Sequence, residues 1–260
     1  MTSTSKSKNK NNPENAGLFL FYAICDTMPP KYMAGSLYIV ATPIGNLGDI
    51  TLRALEVLKS ADFVLCEDTR VTRKLLDRYD ISTSTISFHE HSELEKTEQI
   101  LALLAGGKNL ALVSDAGTPG ISDPGGKLIE YVGRLTSHIK IVPVPGPSAL
   151  TAAASIAGFS MDKFVFMGFP PVKKKRKKFF EEALRQLADS KYPVIFYESP
   201  HRILKSLGEL AEILPSAKVV VCRELTKKFE TIYRGTVDEI LQKLKIEEIK
   251  GEFVVIINNA

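Results

Sequence analysis

The order in which short apolar runs alternate with amphipathic stretches constrains this chain more than any other feature. In the first half the runs fall at residues 37–41, 63–67, 85–88, 110–114 and 139–144, each separated from the next by a stretch of helical periodicity. Runs this short read as strands. Strands joined through helices rather than tight turns pair in parallel, since a parallel neighbour is reached only by a crossover. The prediction is a mostly parallel sheet in an α/β fold, with helices covering both faces. Around residues 158–162 the pattern restarts. Strands are predicted at 164–167, 194–197, 219–222, 231–234 and 253–257, with helices near 177–189, 200–214 and 237–244. Strand 231–234 follows 219–222 through a short connection and is expected to pair antiparallel. The chain has 260 residues, 44% hydrophobic and 25% charged, enough for one large domain or two modest ones. We place the boundary within 157–163, giving two α/β domains, 35–157 and 158–260, flanking a cleft.

Helix ends carry their own signals. Asp49 reads as the N-cap of a helix over 50–60, with Leu52, Leu55 and Leu58 spaced for one helical face. Ser92 with Glu95, and Thr236 with Glu239, have capping-box spacing. Asp123 before Pro124, and Ser199 before Pro200, read as caps followed by proline at the first helical position. Residues 1–34 form an extension. Its first 15 residues are mostly Lys, Asn and Ser with little to bury, and are expected to be disordered. The apolar stretch 18–25 is too short to span a bilayer, and no small-residue cleavage site follows it. The extension is expected to be dispensable.

Three strand-to-helix junctions have an unusual composition. The strand at 110–114 breaks into Ser114-Asp115-Ala116-Gly117-Thr118-Pro119-Gly120, with Gly125 and Gly126 beyond. The strand at 37–41 runs into Thr42-Pro43-Ile44-Gly45-Asn46-Leu47-Gly48-Asp49. The strand at 139–144 ends in Pro145-Gly146-Pro147-Ser148, where a helix of small residues begins. Each alone is an ordinary turn rich in breakers. In open α/β sheets, however, ligands bind beyond the carboxyl ends of strands, and three such loops in one half point to one shared pocket around Asp115. None is Gly-x-Gly-x-x-Gly and no Walker sequence occurs, so the dinucleotide and P-loop fingerprints fail. Small neighbours let the backbone approach a ligand closely. The ligand-binding set is Pro43, Gly45, Ser114, Asp115, Gly117, Ile121, Ser148 and Ala149, with Asp115 accepting from a hydroxyl or ammonium group.

These loops, together with Cys66-Glu67-Asp68-Thr69-Arg70 and Tyr197-Glu198-Ser199-Pro200-His201-Arg202, resemble the motifs of the ribosomal RNA small subunit methyltransferase I family, a branch of the tetrapyrrole methylase superfamily. The resemblance runs from about Gly35 to Ile257, in order and without a large gap. It implies an enzyme that uses S-adenosyl-L-methionine to methylate the ribose 2′-hydroxyl of a cytidine in 16S rRNA, in the decoding region of the small ribosomal subunit. It also implies two α/β domains with the cofactor in the cleft between them, and a homodimer.

A 2′-hydroxyl is a poor nucleophile, so transfer to it gains from a base or from a charge that favours the forming alkoxide. Candidate groups at strand ends are Glu67, Asp68, Arg70, Glu198, Arg223, Glu224 and Lys227. Arg70 and Lys227 are taken as the cations nearest the acceptor, and Glu198 as an orienting or basic carboxylate. Lys173-Lys174-Lys175-Arg176-Lys177-Lys178 is either a solvated helix start or a phosphate-binding patch. Cations at a helix N-terminus oppose its dipole, and the run follows a loop expected at the cleft rim. Lys174, Lys175 and Arg176 are therefore assigned to RNA. A net charge of +4 permits an acidic partner without requiring one. Cys25, Cys66 and Cys222 show no metal spacing. The apolar surroundings of Cys66 and Cys222 fit the reduced thiols of a cytoplasmic protein. His89-Glu90-His91 has no evident third ligand, and its adjacent side chains point opposite ways. No metal and no membrane partner are expected. Three other classes compete: a small-molecule, tetrapyrrole-type methyltransferase on the same scaffold, a nucleotide-binding oxidoreductase, and an RNA-binding module without chemistry. The missing glycine fingerprint speaks against the second, and the glycine-rich loops around Asp115 against the third.

Overall fold

A computed structural model describes residues 34–89, 94–123, 125–135 and 138–258. The extension up to residue 33, the predicted capping box at Ser92, Glu90 and His91 of the histidine motif, and Pro124 lie outside these residues. Among the described residues the strands form two five-stranded sheets. In the first, β1 (Ser36–Val40), β2 (Phe63–Cys66), β3 (Ser84–Ser87), β4 (Leu110–Leu112) and β5 (Lys140–Val144) lie in the order β3-β2-β4-β1-β5. Every pairing is parallel. The crossovers carry α1 (Leu52–Ser60), α2 (Thr69–Arg78), α3 (Leu94–Ala105) and α4 (Gly125–Leu135).

The inner strands β2 and β4 read as unbroken apolar runs because both faces are covered. Leu37, Leu65, Leu110 and Leu112 pack with Leu101 and Leu104 of α3 and Leu128 and Val132 of α4. The alternate residues Val40, Val64, Ala111 and Val113 pack with Ala54 and Leu58 of α1 and Leu76 of α2.

The second sheet contains β6 (Val165–Phe166), β7 (Val194–Glu198), β8 (Lys218–Arg223), β9 (Thr231–Thr236) and β10 (Phe253–Asn258), in the order β6-β7-β10-β8-β9. β8 and β9 pair antiparallel, as their short connection predicts. β10 lies between β7 and β8, antiparallel to both. Helices α6 (Arg176–Asp189), α7 (Ile203–Ala211) and α8 (Val237–Lys245) cover one face, burying Phe180, Leu207 and Ile240 against Phe196, Val221 and Val255. The other face meets α5 (Ala149–Ser155), the helix that follows β5: Ala153, Ala154 and Ala157 pack on Ile195, Val220, Val254 and Ile256. Alanine side chains keep this helix thin enough for the two halves to share one core.

Two helix starts differ from the sequence expectation. Asp49 closes a 3₁₀ turn, Leu47–Asp49, capped by Asn46, and α1 begins after Thr51, whose hydroxyl accepts the Ala54 amide. Each step of three residues falls about 60° short of a full helical turn, so the three leucines drift around the helix. Leu58 is fully buried while Leu52 is 79% exposed. At the second site the Ser199 carbonyl accepts the amides of Arg202 and Ile203, a separate turn, and the regular helix starts only at Ile203. The Thr236–Glu239 capping box is present in full. Leu58→Ala should lower the unfolding free energy by about 2–5 kcal/mol, and Leu52→Ala should leave it within about 0.5 kcal/mol. Urea denaturation of both variants checks the register of α1, and equal losses would refute it.

Candidate active site

Because β4, β1 and β5 are neighbours, the three glycine-rich loops leave their carboxyl ends side by side. They are tied together by backbone. Thr42 N donates to Gly117 O at 2.9 Å and Gly117 N to Thr42 O at 3.0 Å. Thr42 Oγ1 donates to Ser114 O at 3.1 Å, and Thr118 Oγ1 to Pro147 O at 3.2 Å. Gly117 sits at φ +82°, a left-handed conformation that a side chain would strain. The loop after β2 joins the set where Asp68 N donates to Asp115 Oδ1 at 3.2 Å.

Between these loops and the second sheet lies a cavity of about 430 Å³. Its lining from the first half includes Ile44, Glu67 and residues 114–118, 121–123, 148 and 149. The second half contributes residues 169, 197–200, 222, 225, 227 and 252–254. Of the predicted ligand set, Ser114, Asp115, Gly117, Ile121, Ser148 and Ala149 line this space, and Pro43 and Gly45 do not. Pro43 is buried. Gly45 backs onto the loop after β8, where an added Cβ would stand 2.3 Å from Lys227 Cγ. The first loop therefore uses Ile44 as its wall and Gly45 as its seat. Phe169, Leu225 and Val254 line the cavity without having been assigned a role from the sequence, and Tyr197 was named only as part of the 197–202 motif. Only Phe169, a large aromatic between Gly168 and Pro170 in a loop, carried a signal that composition alone could have raised.

Charge in the cavity is mostly acidic, with Lys227 the cation among five carboxylates. Burial raises the Asp115 carboxyl above the ordinary aspartate range, in spite of the Asp68 amide bonded to it. The Cys222 thiol is pushed up to about 11 by burial, which keeps it protonated and inert. Lys227 Nζ is held by Glu224 Oε1 at 2.9 Å and Glu252 Oε2 at 3.0 Å. Burial works to lower its pKa, but the two carboxylates prevail and raise it, so Lys227 is a fixed cation on the cavity wall. Arg70 is not among the cavity residues. Its side chain is 87% exposed and grips the Asp68 carboxylate through Nε and Nη2.

The structure corrects the expected role of Glu198. Its carboxylate reaches the cavity wall but is 1% exposed and already engaged at both oxygens. Oε1 accepts from Ser199 N at 2.8 Å and pairs with Arg202 Nε at 3.0 Å, and Oε2 accepts from the Ser206 hydroxyl. Buried and held at both oxygens between two guanidinium groups, this carboxylate is placed as a structural acceptor rather than as a base.

Arg176 is corrected as well. It is 4% exposed, which removes it from any phosphate. Its Nη2 donates to Ser206 Oγ at 2.8 Å and Glu209 Oε2 at 2.9 Å, its Nη1 to Pro171 O at 3.1 Å, and Glu198 Oε2 lies 3.8 Å away. The first cation of α6 is present to neutralise two carboxylates, which outweighs its unfavourable place in the helix dipole. Lys173, Lys174 and Lys175 remain exposed just ahead of it.

Residues 36–241 match the family model described as Tetrapyrrole (Corrin/Porphyrin) Methylases. A ribosomal RNA small subunit methyltransferase I of Synechocystis sp. is 44% identical over 227 residues, covering 87% of this chain and 80% of the relative. One from Mesorhizobium japonicum is 47% identical over 236 residues, covering 90% and 78%. Among solved structures, the methyltransferase CobJ superposes with a TM-score of 0.64 at 21% identity, covering 87% of this chain and 95% of that one. The uroporphyrin-III C-methyltransferase of Thermus thermophilus, complexed with S-adenosyl homocysteine, gives 0.59 at 16% identity, covering 85% and 97%.

Removing one partner of a buried charge cluster strands the others, at a cost of about 3–5 kcal/mol. Arg176→Met should destabilise the chain by that amount in guanidinium denaturation. Adding Glu198→Gln should recover part of the loss, because the pair is coupled. A single variant as stable as the parent would show that the cluster is solvated.

Proposed function

This chain belongs to the ribosomal RNA small subunit methyltransferase I family of tetrapyrrole methylases, and on that basis we propose that it methylates 16S rRNA from S-adenosyl-L-methionine, at the ribose 2′-hydroxyl of a cytidine. The observation that carries this reading is a cavity built jointly by three tied loops and an antiparallel sheet, with the Asp115 carboxylate among its lining residues. Its volume lies in the range of small-molecule sites, roughly 300–1,000 Å³. The apolar side chains of Ile44, Leu225 and Val254 suit a flat aromatic ring, and the backbone of residues 114–117 suits hydroxyl and amino groups. Asp115, Ser114, Gly117, Ile121, Ser148 and Ala149 are the residues proposed to hold the cofactor. Bound there, it supplies an electrophilic methyl group on a sulfonium.

What remains for the protein is mainly placement. An acceptor oxygen held in line at about 3–3.5 Å gains most of what a base would add. Lys227, kept charged by its two carboxylates, is proposed to favour the forming alkoxide. Arg70, exposed beside Asp68, is proposed as a cation at the rim. Lys174 and Lys175 are proposed to neutralise RNA phosphates. The tetrapyrrole-type alternative is set aside, because the rRNA-named relatives share far more of this sequence than the tetrapyrrole-type structures do. We also propose a division into two lobes within 157–163, a homodimer, and action in the cytoplasm. The family resemblance supports the dimer. Among the described residues no helix is long and apolar enough to cross a membrane.

Methyl transfer to small ribosomal subunits from a strain lacking the modification tests the activity; labelling of one cytidine ribose is expected, and no labelling would sink the proposal. In the same assay system, Lys174→Ala with Lys175→Ala should weaken binding to the subunit and reduce the magnitude of the log–log salt slope by about 2. An unchanged slope would remove these lysines from the interface.

Asp115→Asn makes a two-sided prediction. A carboxyl whose folded pKa is raised contributes stability that is present at low pH and lost as pH rises through that pKa. The asparagine variant should therefore melt higher than the parent at neutral pH, with the gap closing below pH 4 or so. Its affinity for S-adenosyl-L-methionine should nevertheless drop by roughly tenfold or more. Calorimetric titration with an unchanged dissociation constant would exclude Asp115 as a ligand.

A further inference from the structure

We propose that Phe169 stacks on the base of the acceptor nucleotide at the mouth of the cavity, an inference that rests on the rRNA activity proposed above. Phe169 lines the cavity yet is 49% exposed. Its ring lies 5.3 Å from that of Tyr197, which in turn meets Phe166 at 4.9 Å. One side of Phe169 is thus backed by a packed aromatic pair while about half of the residue meets solvent. Single exposed apolar residues are common and mean little. This one differs in how firmly its loop is held.

Tyr197 N donates to Gly168 O at 2.9 Å, Arg202 Nη1 to Pro170 O at 3.0 Å, and Arg176 Nη1 to Pro171 O at 3.1 Å. Two successive prolines add fixed φ angles. The loop that carries an exposed phenylalanine is therefore fastened from beneath by two guanidinium groups, one of them almost fully buried. Such fastening is needed where an exposed ring must keep one position.

The surroundings select the occupant. Lys173, Lys174 and Lys175 are exposed and follow within six residues, a reach of no more than about 20 Å of chain. A strand whose phosphates meet those lysines can set a base beside Phe169. Drawing a nucleotide into a cavity between two sheets, to present its ribose hydroxyl there, costs its base contact with a neighbouring base. An aromatic ring at the mouth replaces the stacking it gives up, and cations with an interleaved aromatic are the recognition pattern for single-stranded nucleic acid.

The test is a series at one position: Phe169→Ala, Phe169→Leu, Phe169→Tyr and Phe169→Trp. The readouts are single-turnover methylation of unmodified small subunits at saturating cofactor, subunit affinity without cofactor, and affinity for S-adenosyl-L-methionine alone. Stacking predicts that Ala and Leu both lose about 10- to 100-fold in methylation at subsaturating subunit concentration and weaken subunit affinity in parallel. Tyr and Trp should restore both, and cofactor affinity should stay within twofold throughout. A Leu variant as active as the parent, or an Ala variant that keeps its rate, would overturn the stacking role while leaving the activity standing. A cofactor affinity that falls with the ring would place Phe169 in the cofactor's wall instead, which also overturns it. A parent chain that labels no subunit would defeat the activity and this inference together.

Discussion

The seating of a small alanine helix on a foreign sheet decides the geometry of everything else in this chain. Ala153, Ala154 and Ala157 come from the half that contains the parallel sheet, and the residues they bury against, Ile195, Val220, Val254 and Ile256, belong to the other. Ile44 and Leu225 join the same core, one from the loop after β1 and one from the loop after β8. A close-packed joint of this kind tolerates little change in volume. The contact of Gly45 with the stem of Lys227 shows how tight it is, since even one added carbon there would collide. The cavity is what the two halves leave open once this joint is formed.

A second device lies under the opposite face. Arg176, Glu198, Arg202, Ser206 and Glu209 form a polar cluster beside an apolar core. Buried ion pairs often add little stability over a well-packed apolar replacement. What this one supplies is position. Its guanidinium groups have donors left over after their carboxylates are satisfied, and those donors end on the carbonyls of Pro170 and Pro171. The same residues thus connect the end of β7, the start of α6 and the loop between β6 and α6.

Much of the architecture was readable from apolar patterning. Every predicted strand exists among the described residues, because short runs of apolar and β-branched residues mark strands without help from distant residues. Pairing order was less accessible. Nothing local marks β10 as the strand that enters between β7 and β8, since its place is decided by contacts across the whole second half. The caps failed where two residues competed: Asp49 and Thr51 both suit an N-cap, and only the fold shows that Asp49 completes a preceding turn. At the site, the loops around Asp115 were legible because glycine and proline report backbone demands directly. Arg176 and Glu198 were misjudged for the opposite reason. Arg176, in a charged run, looks solvated, and its burial depends on Glu209, 33 residues away, which no spacing rule connects to it.

The position of β10 has a consequence for how this molecule comes into being. Among the described residues it is the last strand in sequence and the middle strand of its sheet, so β7 and β8 are joined only through it. Phe253 and Val254, which close one wall of the cavity, arrive with it. Chains fold from the N-terminus during synthesis, and contacts between distant segments form late because their loop closure is costly. The parallel sheet can mature while the second half is still being made, but the cavity waits for β10. A chain that has not yet placed this strand therefore carries the loops of the site without a closed place to use them.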